Sequence, residues 1–189
     1  NFYDGVLKGK TAAYTDKTIV NKPRETKIFE EIQTINNEDY FVDYLVENDD
    51  IVENGDEGYK SITSAIENAE EGDTLTVVGD IMNTDDIVVP EGKEFTLDLN
   101  GHDIDTSKPI TNNGDMTITN SDGDETKTIT YYGSGYLITN NSGNTLTIDG
   151  VKIDSPYVID NKANATLNTS NTTITSTKVS INNLGTWIA

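Results

Sequence analysis

The chain has 189 residues, a formal charge of −20 and no cysteine. This length suits one domain or a domain with a small appendage. The acidic balance excludes nucleic acid as a partner, because phosphate binding needs a basic patch, and the lack of cysteine excludes disulfides and thiolate metal sites. No segment has the apolar length of a membrane span, so this fragment is not expected to insert into a bilayer.

Residues 1–58 are predicted to form a separate, small β-rich region that ends in an acidic linker. Residues 41–46 alternate apolar and polar side chains and are predicted to form a strand, whereas 27–35 fit either a short helix or a strand. The acidic, glycine-containing stretch 47–58 (ENDDIVENGDEG) has the composition of a linker. The predicted domain boundary therefore lies between residues 58 and 59.

One capping helix is predicted over about 59–71. The small and apolar residues of one face recur at helical spacing: Ile62, Ala65, Ile66 and Ala69. Ser61 or Thr63 is expected to cap the start of the helix, and Gly72 is expected to end it. A helix with such a narrow apolar face suits a lid over the open end of a sheet.

From residue 95 onward the sequence repeats. Strand-like runs begin at Phe95, Met116, Leu146, Leu167 and Trp187, with spacings of 21, 30, 21 and 20 residues. The longer spacing assigns an insertion of about ten residues to 121–130. A second strand of each coil is predicted at Ile104, Ile153 and Ile174, and a third at Ile110, Ile138, Ile159 and Ile181.

A fixed period near twenty residues indicates a solenoid. Strands joined by Asn- and Gly-rich turns predict an all-β, right-handed parallel β-helix for residues 59–189. Ordering a coil costs about 30 kcal/mol, while its few buried side chains contribute only about 1.5–3 kcal/mol each, so coils are stable only when stacked. A row of turn asparagines is interpreted as a structural ladder rather than a binding row: Asn112, Asn140, Asn161 and Asn182.

Two segments carry a resemblance to a known family. The junction over 59–75 (YKSI, then AI, A and GDTL) and the run 92–102 (GKEFTLDLNGH) resemble the cap and first coil of pectin-lyase-like β-helix domains of bacterial cell-surface, adhesin-like proteins. The resemblance covers residues 59–189. It implies an extracellular protein, at the bacterial cell surface or secreted, but its fold hosts lyases, hydrolases, adhesins and phage fibres alike.

The sequence does not assemble a catalytic set for polysaccharide cleavage. Residues 83–86 and 101–103 resemble the Asn-Thr-Asp and Gly-His-Gly signatures of polygalacturonase-type hydrolases, but they occur in the wrong order and on early coils. Lyases need a basic residue in the groove, and the one arginine of the chain, Arg24, lies outside the predicted β-helix. We therefore predict that the chain is not an enzyme.

The inserted loop and its flank carry the candidate binding residues. Tyr131, Tyr132 and Tyr136 are expected to be exposed, where an aromatic face can stack on a sugar; the alternative is packing over the coil edge. The carboxylates of Asp122, Asp124 and Glu125 place hard oxygens in one loop, which fits either a Ca²⁺ site or a solvated acidic loop. No other cofactor is expected.

These observations favour a non-catalytic extracellular adhesin or stalk domain of a bacterial surface protein. It is expected to contact a glycan or a host or cell-surface protein through the side that bears residues 121–136. The alternative is the N-terminal part of a carbohydrate-active β-helix enzyme, a polysaccharide lyase or hydrolase, whose active coils lie beyond residue 189. A phage or S-layer fibre module is a third hypothesis.

Overall fold

The computed structural model divides the chain into two compact units, residues 1–49 and 50–189. It describes residues 50–123 and 128–189 in full and, in the first unit, the backbone of three strands. Across these described residues, no helix is both long and apolar enough to cross a membrane.

The first unit contains an antiparallel sheet with the strand order β1-β3-β2. Its strands are β1 (Val6–Gly9), β2 (Thr26–Ile35) and β3 (Glu38–Glu47). Strand β2 pairs with β3 along its whole length, from Thr26 opposite Glu47 to Ile35 opposite Glu38. The β-rich character predicted for this region is confirmed, and residues 27–35, left open between helix and strand, form a strand.

The second unit is a parallel β-helix of about five coils, in which each coil contributes one strand to each of three sheets. The parallel strands of sheet 1 are β6 (Asp73–Val77), β9 (Glu94–Asp98), β12 (Asp115–Thr119), β15 (Thr145–Asp149), β18 (Thr166–Ser170) and β21 (Thr186–Ile188). Sheet 2 consists of β7 (Ile81–Asn83), β10 (Ile104–Thr106), β13 (Thr128–Tyr131), β16 (Lys152–Asp154) and β19 (Thr173–Thr175). Sheet 3 consists of β8 (Ile87–Val89), β11 (Ile110–Asn112), β14 (Ile138–Asn140), β17 (Tyr157–Asn161) and β20 (Val179–Asn183).

The interior of the β-helix is built from columns of equivalent apolar residues. In sheet 2 the column is Ile81, Ile104, Ile129, Ile153 and Ile174, and in sheet 3 it is Ile87, Ile110, Ile138, Ile159 and Ile181. In sheet 1 Phe95, Met116, Leu146, Leu167 and Trp187 are in register. The predicted repeat is therefore confirmed at every strand that the sequence identified.

A hairpin precedes the first coil and pairs with it. Strands β4 (Val52–Asn54) and β5 (Glu57–Tyr59) are antiparallel, and Val52 pairs with Val77 of β6 while its side chain is fully buried. The prediction of a linker over 47–58 was wrong for these strands, and the boundary between the compact units lies at residues 49 and 50. The hairpin extends sheet 1 and covers the edge that β6 would otherwise expose.

The helix α1 (Ile62–Asn68) lies against β4, β5 and β8. Ser61 caps it, since its hydroxyl accepts a hydrogen bond of 3.0 Å from the Ser64 amide. Ile62, Ala65 and Ile66 are buried. Strand β8 is the first strand of sheet 3, so the helix covers this end of the β-helix, and the predicted lid is confirmed.

The helix ends earlier than predicted. Its C-cap is Ala69, with an extended backbone, and not Gly72. Asp73 explains the early stop, because its carboxylate accepts a hydrogen bond of 2.8 Å from the Glu70 amide and draws residues 70–73 into a turn. Gly72, with a φ of +82°, belongs to this turn. The Lys93 ammonium donates to the Ala69 carbonyl, which satisfies a carbonyl at the end of the helix.

The additional residues of the third coil, 115–144, are divided between two turns. Between sheets 1 and 2, Ile129 follows Ile118 by eleven positions, whereas in the next coil Ile153 follows Ile148 by five. Between sheets 2 and 3, Ile138 follows Ile129 by nine positions, whereas in the next coil Ile159 follows Ile153 by six. The prediction of a single insertion over 121–130 was therefore wrong, because residues 128–130 belong to β13.

A ladder of asparagine side chains runs along the corner between sheets 3 and 1. Asn112 Nδ2 donates to Asn140 Oδ1, Asn140 Nδ2 to Asn161 Oδ1, and Asn161 Nδ2 to Asn183 Oδ1, each at 2.8 Å. The first three side chains are fully buried, so these bonds satisfy groups that would otherwise be costly to bury. The structural reading of the ladder is supported, but its last member is Asn183; Asn182 donates to Asp160 instead.

We predict that Ala65→Asp unfolds the cap and destabilises the β-helix by about 3 kcal/mol or more, since it places an unpaired charge at a fully buried position. Ala163→Asp is the matched control, because Ala163 lies in an exposed turn, and it should change stability by less than about 0.5 kcal/mol. Urea unfolding measures both. Equal midpoints for the two variants would contradict the role of α1 as a lid.

Candidate functional site

The end of β13 and the turn that follows it hold the three candidate tyrosines in three different environments. Tyr131 is buried, in line with Thr106 of the preceding coil. A Cβ atom at Gly133 would lie 2.1 Å from the Tyr131 hydroxyl oxygen, so the phenol occupies the space that this glycine leaves open. The expectation that Tyr131 is exposed was wrong, because the residue continues the inward alternation of Ile129 and fills the coil corner.

Tyr132 is the exposed aromatic residue of this turn, with 69% of its surface accessible. Its hydroxyl donates a hydrogen bond of 3.3 Å to Asp105 Oδ1. Asp105 lies in β10 and Asp154 in β16, and both pair with Thr130 of the strand between them. On the outer face of sheet 2, one carboxylate therefore lies on each side of the strand that leads into Tyr132.

These carboxylates act on the Tyr132 phenol. The pKa of Tyr132 is raised above its ordinary value, first by the negative charge of Asp105, then by partial desolvation, by the hydrogen bond to Asp105 and by the charge of Asp154. Each effect disfavours the phenolate or favours the neutral hydroxyl. The local potential is negative, and the neutral hydroxyl holds its proton towards Asp105.

Tyr136 lies on the other side of the same turn and packs against the next coil. Its ring meets that of Tyr157 edge to face, with centroids 5.5 Å apart. The Lys178 ammonium lies 5.2 Å from the centroid of Tyr157, so the contact continues into the coil beyond. Tyr136 is half-buried and takes part in packing, whereas Tyr132 does not.

Sequence reasoning missed Tyr157, Asp105 and Asp154 as members of this surface. Tyr157 follows Tyr136 by 21 residues, which is the coil period, and that spacing could have identified the pair. No comparable signal marks Asp105, which is 27 residues from Tyr132, because the additional residues before β13 lengthen the spacing beyond the coil period.

Of the predicted calcium ligands, Asp122 alone lies within the described residues. Asp122 is exposed, and its carboxylate lies over the turn of the preceding coil, where a Cβ atom at Gly101 would be 2.3 Å from its Oδ2. Asp124 and Glu125 lie outside the described residues. Over 50–123 and 128–189 no group of three or more His, Cys, Asp or Glu side chains is arranged to hold a metal ion.

The fragments that resemble hydrolase signatures occupy turns of the first two coils. His102 Nδ1 lies 3.3 Å from Asp80 Oδ1, and the Asp103 amide donates to the same oxygen at 3.0 Å. Asn83 is buried at the corner that leads out of sheet 2, where its Nδ2 donates to the Asp85 carbonyl and to Thr106 Oγ1. These contacts shape turns, and none of them joins an acid to a base across a groove.

A comparison of the chain with protein-family models finds no matching family, and comparisons with curated proteins and with solved structures find no match.

We predict that Tyr132 ionises above pH 10, its unperturbed pKa, since the folded state favours the neutral phenol. The stability gained from this hydrogen-bonded phenol is fully present below the unfolded pKa and is lost as the pH rises through the folded value. Phenolate absorbance, measured as the difference between wild type and Tyr132→Phe, gives the transition. Asp105→Asn should lower it, and a Tyr132 transition below pH 10 in the wild type would contradict the contact.

Proposed function

We propose that the β-helix is a non-catalytic, extracellular adhesin or stalk domain of a bacterial surface protein, and that it binds a glycan through the third coil. The observation that carries this proposal is Tyr132, an exposed aromatic ring bordered by Asp105 and Asp154 on the outer face of sheet 2. A host or cell-surface protein is the other ligand class to be screened.

The scaffold supports a binding role for this coil. Side chains on regular strands of a β-helix repeat at each coil, so most of its surface is alike from one coil to the next. The third coil departs from the repeat in both turns that flank β13, and irregular segments on a rigid scaffold are where binding residues concentrate. Strand β13 fixes the position of Tyr132, because Ile129 and Tyr131 on either side of Thr130 are buried.

The chemistry of the surface suits sugar recognition. An aromatic ring offers a large apolar face with little conformational entropy to lose, and a carboxylate has several lone pairs for sugar hydroxyls. Asp105 accepts one bond from Tyr132 and retains further acceptor sites. With a net charge of −20 the chain favours neutral or cationic ligands over polyuronates, which it would repel.

The non-catalytic part of the proposal rests on the distribution of basic and titratable residues. Cleavage of polyuronates needs basic side chains at the substrate, and the single arginine, Arg24, precedes the β-helix in the sequence. The single histidine, His102, is bonded to Asp80 in a turn of an early coil. The resemblance of residues 59–189 to pectin-lyase-like domains of bacterial surface proteins supports the extracellular location in the same proposal.

We predict that Tyr132→Ala weakens glycan binding about tenfold, which corresponds to the loss of one aromatic contact of about 1.4 kcal/mol. Tyr132→Phe should retain most of the affinity, because it keeps the ring. Val88→Ala serves as control, since Val88 is exposed on the outer face of sheet 3. A glycan array and a panel of cell-surface proteins, followed by titration calorimetry, make the measurement.

Two results would contradict this proposal. Equal affinities of Tyr132→Ala and Val88→Ala would remove the third coil from binding. Release of unsaturated uronates or of reducing sugars by the wild type would overturn the non-catalytic assignment.

A further inference from the structure

A column of side chains runs along the outer face of sheet 2. Its members are in register from coil to coil: Met82, Asp105, Thr130, Asp154 and Thr175. Neighbouring strands lie about 4.8 Å apart, so the Cα atoms of Asp105 and Asp154, which are two strands apart, are separated by about 9.6 Å. The shorter side chain of Thr130 lies between them. The column therefore contains a gap with a carboxylate on each side.

The two carboxylates that border this gap have no cationic partner within the described part of the chain. Asp154 is exposed and takes part in no ion pair or hydrogen bond there, and Asp105 accepts a hydrogen bond from Tyr132 alone. Lys152 lies two positions before Asp154 in β16 and forms no ion pair with it. Both negative charges are therefore open to a ligand.

Tyr132 adds an aromatic surface beside the same gap. Its hydroxyl bonds to Asp105, and 69% of its surface is accessible, so most of the ring is open to a ligand. The charges of Asp105 and Asp154 both raise the pKa of Tyr132, which shows that both carboxylates act on the phenol. An aromatic face attracts cations, and nearby carboxylates strengthen that attraction. Met82, which is 81% exposed, offers a further apolar contact next to Asp105.

We propose that this surface selects glycans that carry free amino groups, and that its ligand is a polymer of de-N-acetylated amino sugars. This inference rests on the proposed function and specifies the ligand class of the same site. The ammonium group of one sugar donates hydrogen bonds to Asp105 and Asp154 across Thr130. The apolar face of that sugar covers the Tyr132 ring.

The charges on the rest of this face agree with a cationic ligand. The five strands of sheet 2 contain two aspartates and one lysine. Asp80 and Asp103 lie just before the first two of these strands, where the Asp103 amide donates to Asp80 and the Thr128 amide donates to Asp103. The face as a whole is negative, so it attracts an aminated polymer and repels a carboxylated one.

A basic peptide carries cations as well, but it fits this surface less well. The long side chains of lysine and arginine lose rotamer freedom when they bind, whereas a sugar ring is rigid and broad enough to cover an aromatic ring. The basic peptide is therefore the competing ligand in the test.

The test compares a short oligomer of glucosamine with its N-acetylated counterpart, each titrated into the full chain by calorimetry. The pH is mildly acidic, so that the amine is protonated while the aspartates stay ionised. We expect the glucosamine oligomer to bind about tenfold more tightly, as the combined effect of two exposed ion pairs. The preference should decrease as salt is added, because salt screens exposed charges.

Two matched variants locate the effect. Asp154→Asn removes one carboxylate of the gap and should reduce the preference to about threefold. Glu94→Gln removes the same charge from an exposed position on the outer face of sheet 1, and it should keep the wild-type preference. Equal loss of preference in both variants would reduce the effect to net charge and overturn the role of the gap.

Further outcomes separate this inference from the proposed function. Equal affinities for the two oligomers, both weakened by Tyr132→Ala, would overturn the amine preference and leave glycan binding in place. Failure of every glycan to bind would overturn both. Binding of oligolysine that is weakened by Asp154→Asn, without binding of the glucosamine oligomer, would overturn the inference and assign the surface to a basic peptide.

Discussion

The structure depends on the register in which neighbouring coils stack. A coil has no partner strand of its own, so its backbone groups and apolar side chains are satisfied only by the coils on either side. A slip of one residue would turn an interior column to solvent. The isoleucine columns of sheets 2 and 3 fix the register through their burial. The ladder of Asn112, Asn140 and Asn161 fixes it as well, because a slip would leave the buried side-chain amides of these asparagines without hydrogen-bond partners.

The same constraint explains which features were predictable. Isoleucines at coil spacing identified the strands of sheets 2 and 3, since equivalent positions stack directly. The last rung of the ladder was misplaced by one residue, because 22 residues separate Asn161 from its partner Asn183: the turn between β19 and β20 is one residue longer than the turn between β16 and β17. The hairpin β4–β5 was missed because its short strands bury little besides Val52, so they show no alternation of apolar and polar residues. These strands form because β4 pairs with β6.

The candidate site lies where a strand keeps its register with neighbouring coils while the turns on both sides of it are longer than in the other coils. Additional residues before and after β13 leave the strand itself aligned with β10 and β16. Tyr131 is drawn into the corner, whereas Tyr132 emerges on the outer face, where its hydroxyl reaches Asp105. Sequence reasoning identified the group of tyrosines but not which of them are buried and which are exposed. Burial depends on where β13 ends and the longer turn begins, and the sequence pattern does not mark that position.

Cross-linking of introduced cysteines tests the register most directly, because the chain has no cysteine of its own. Thr117 and Thr147 pair across β12 and β15, although 30 residues separate them, and neighbouring strands lie about 4.8 Å apart. The account predicts that the pair Thr117→Cys and Thr147→Cys reacts rapidly with a short thiol cross-linker, whereas Thr117→Cys and Thr139→Cys, on different sheets, does not. The opposite result would contradict stacking of the third coil in register and with it the architecture described above.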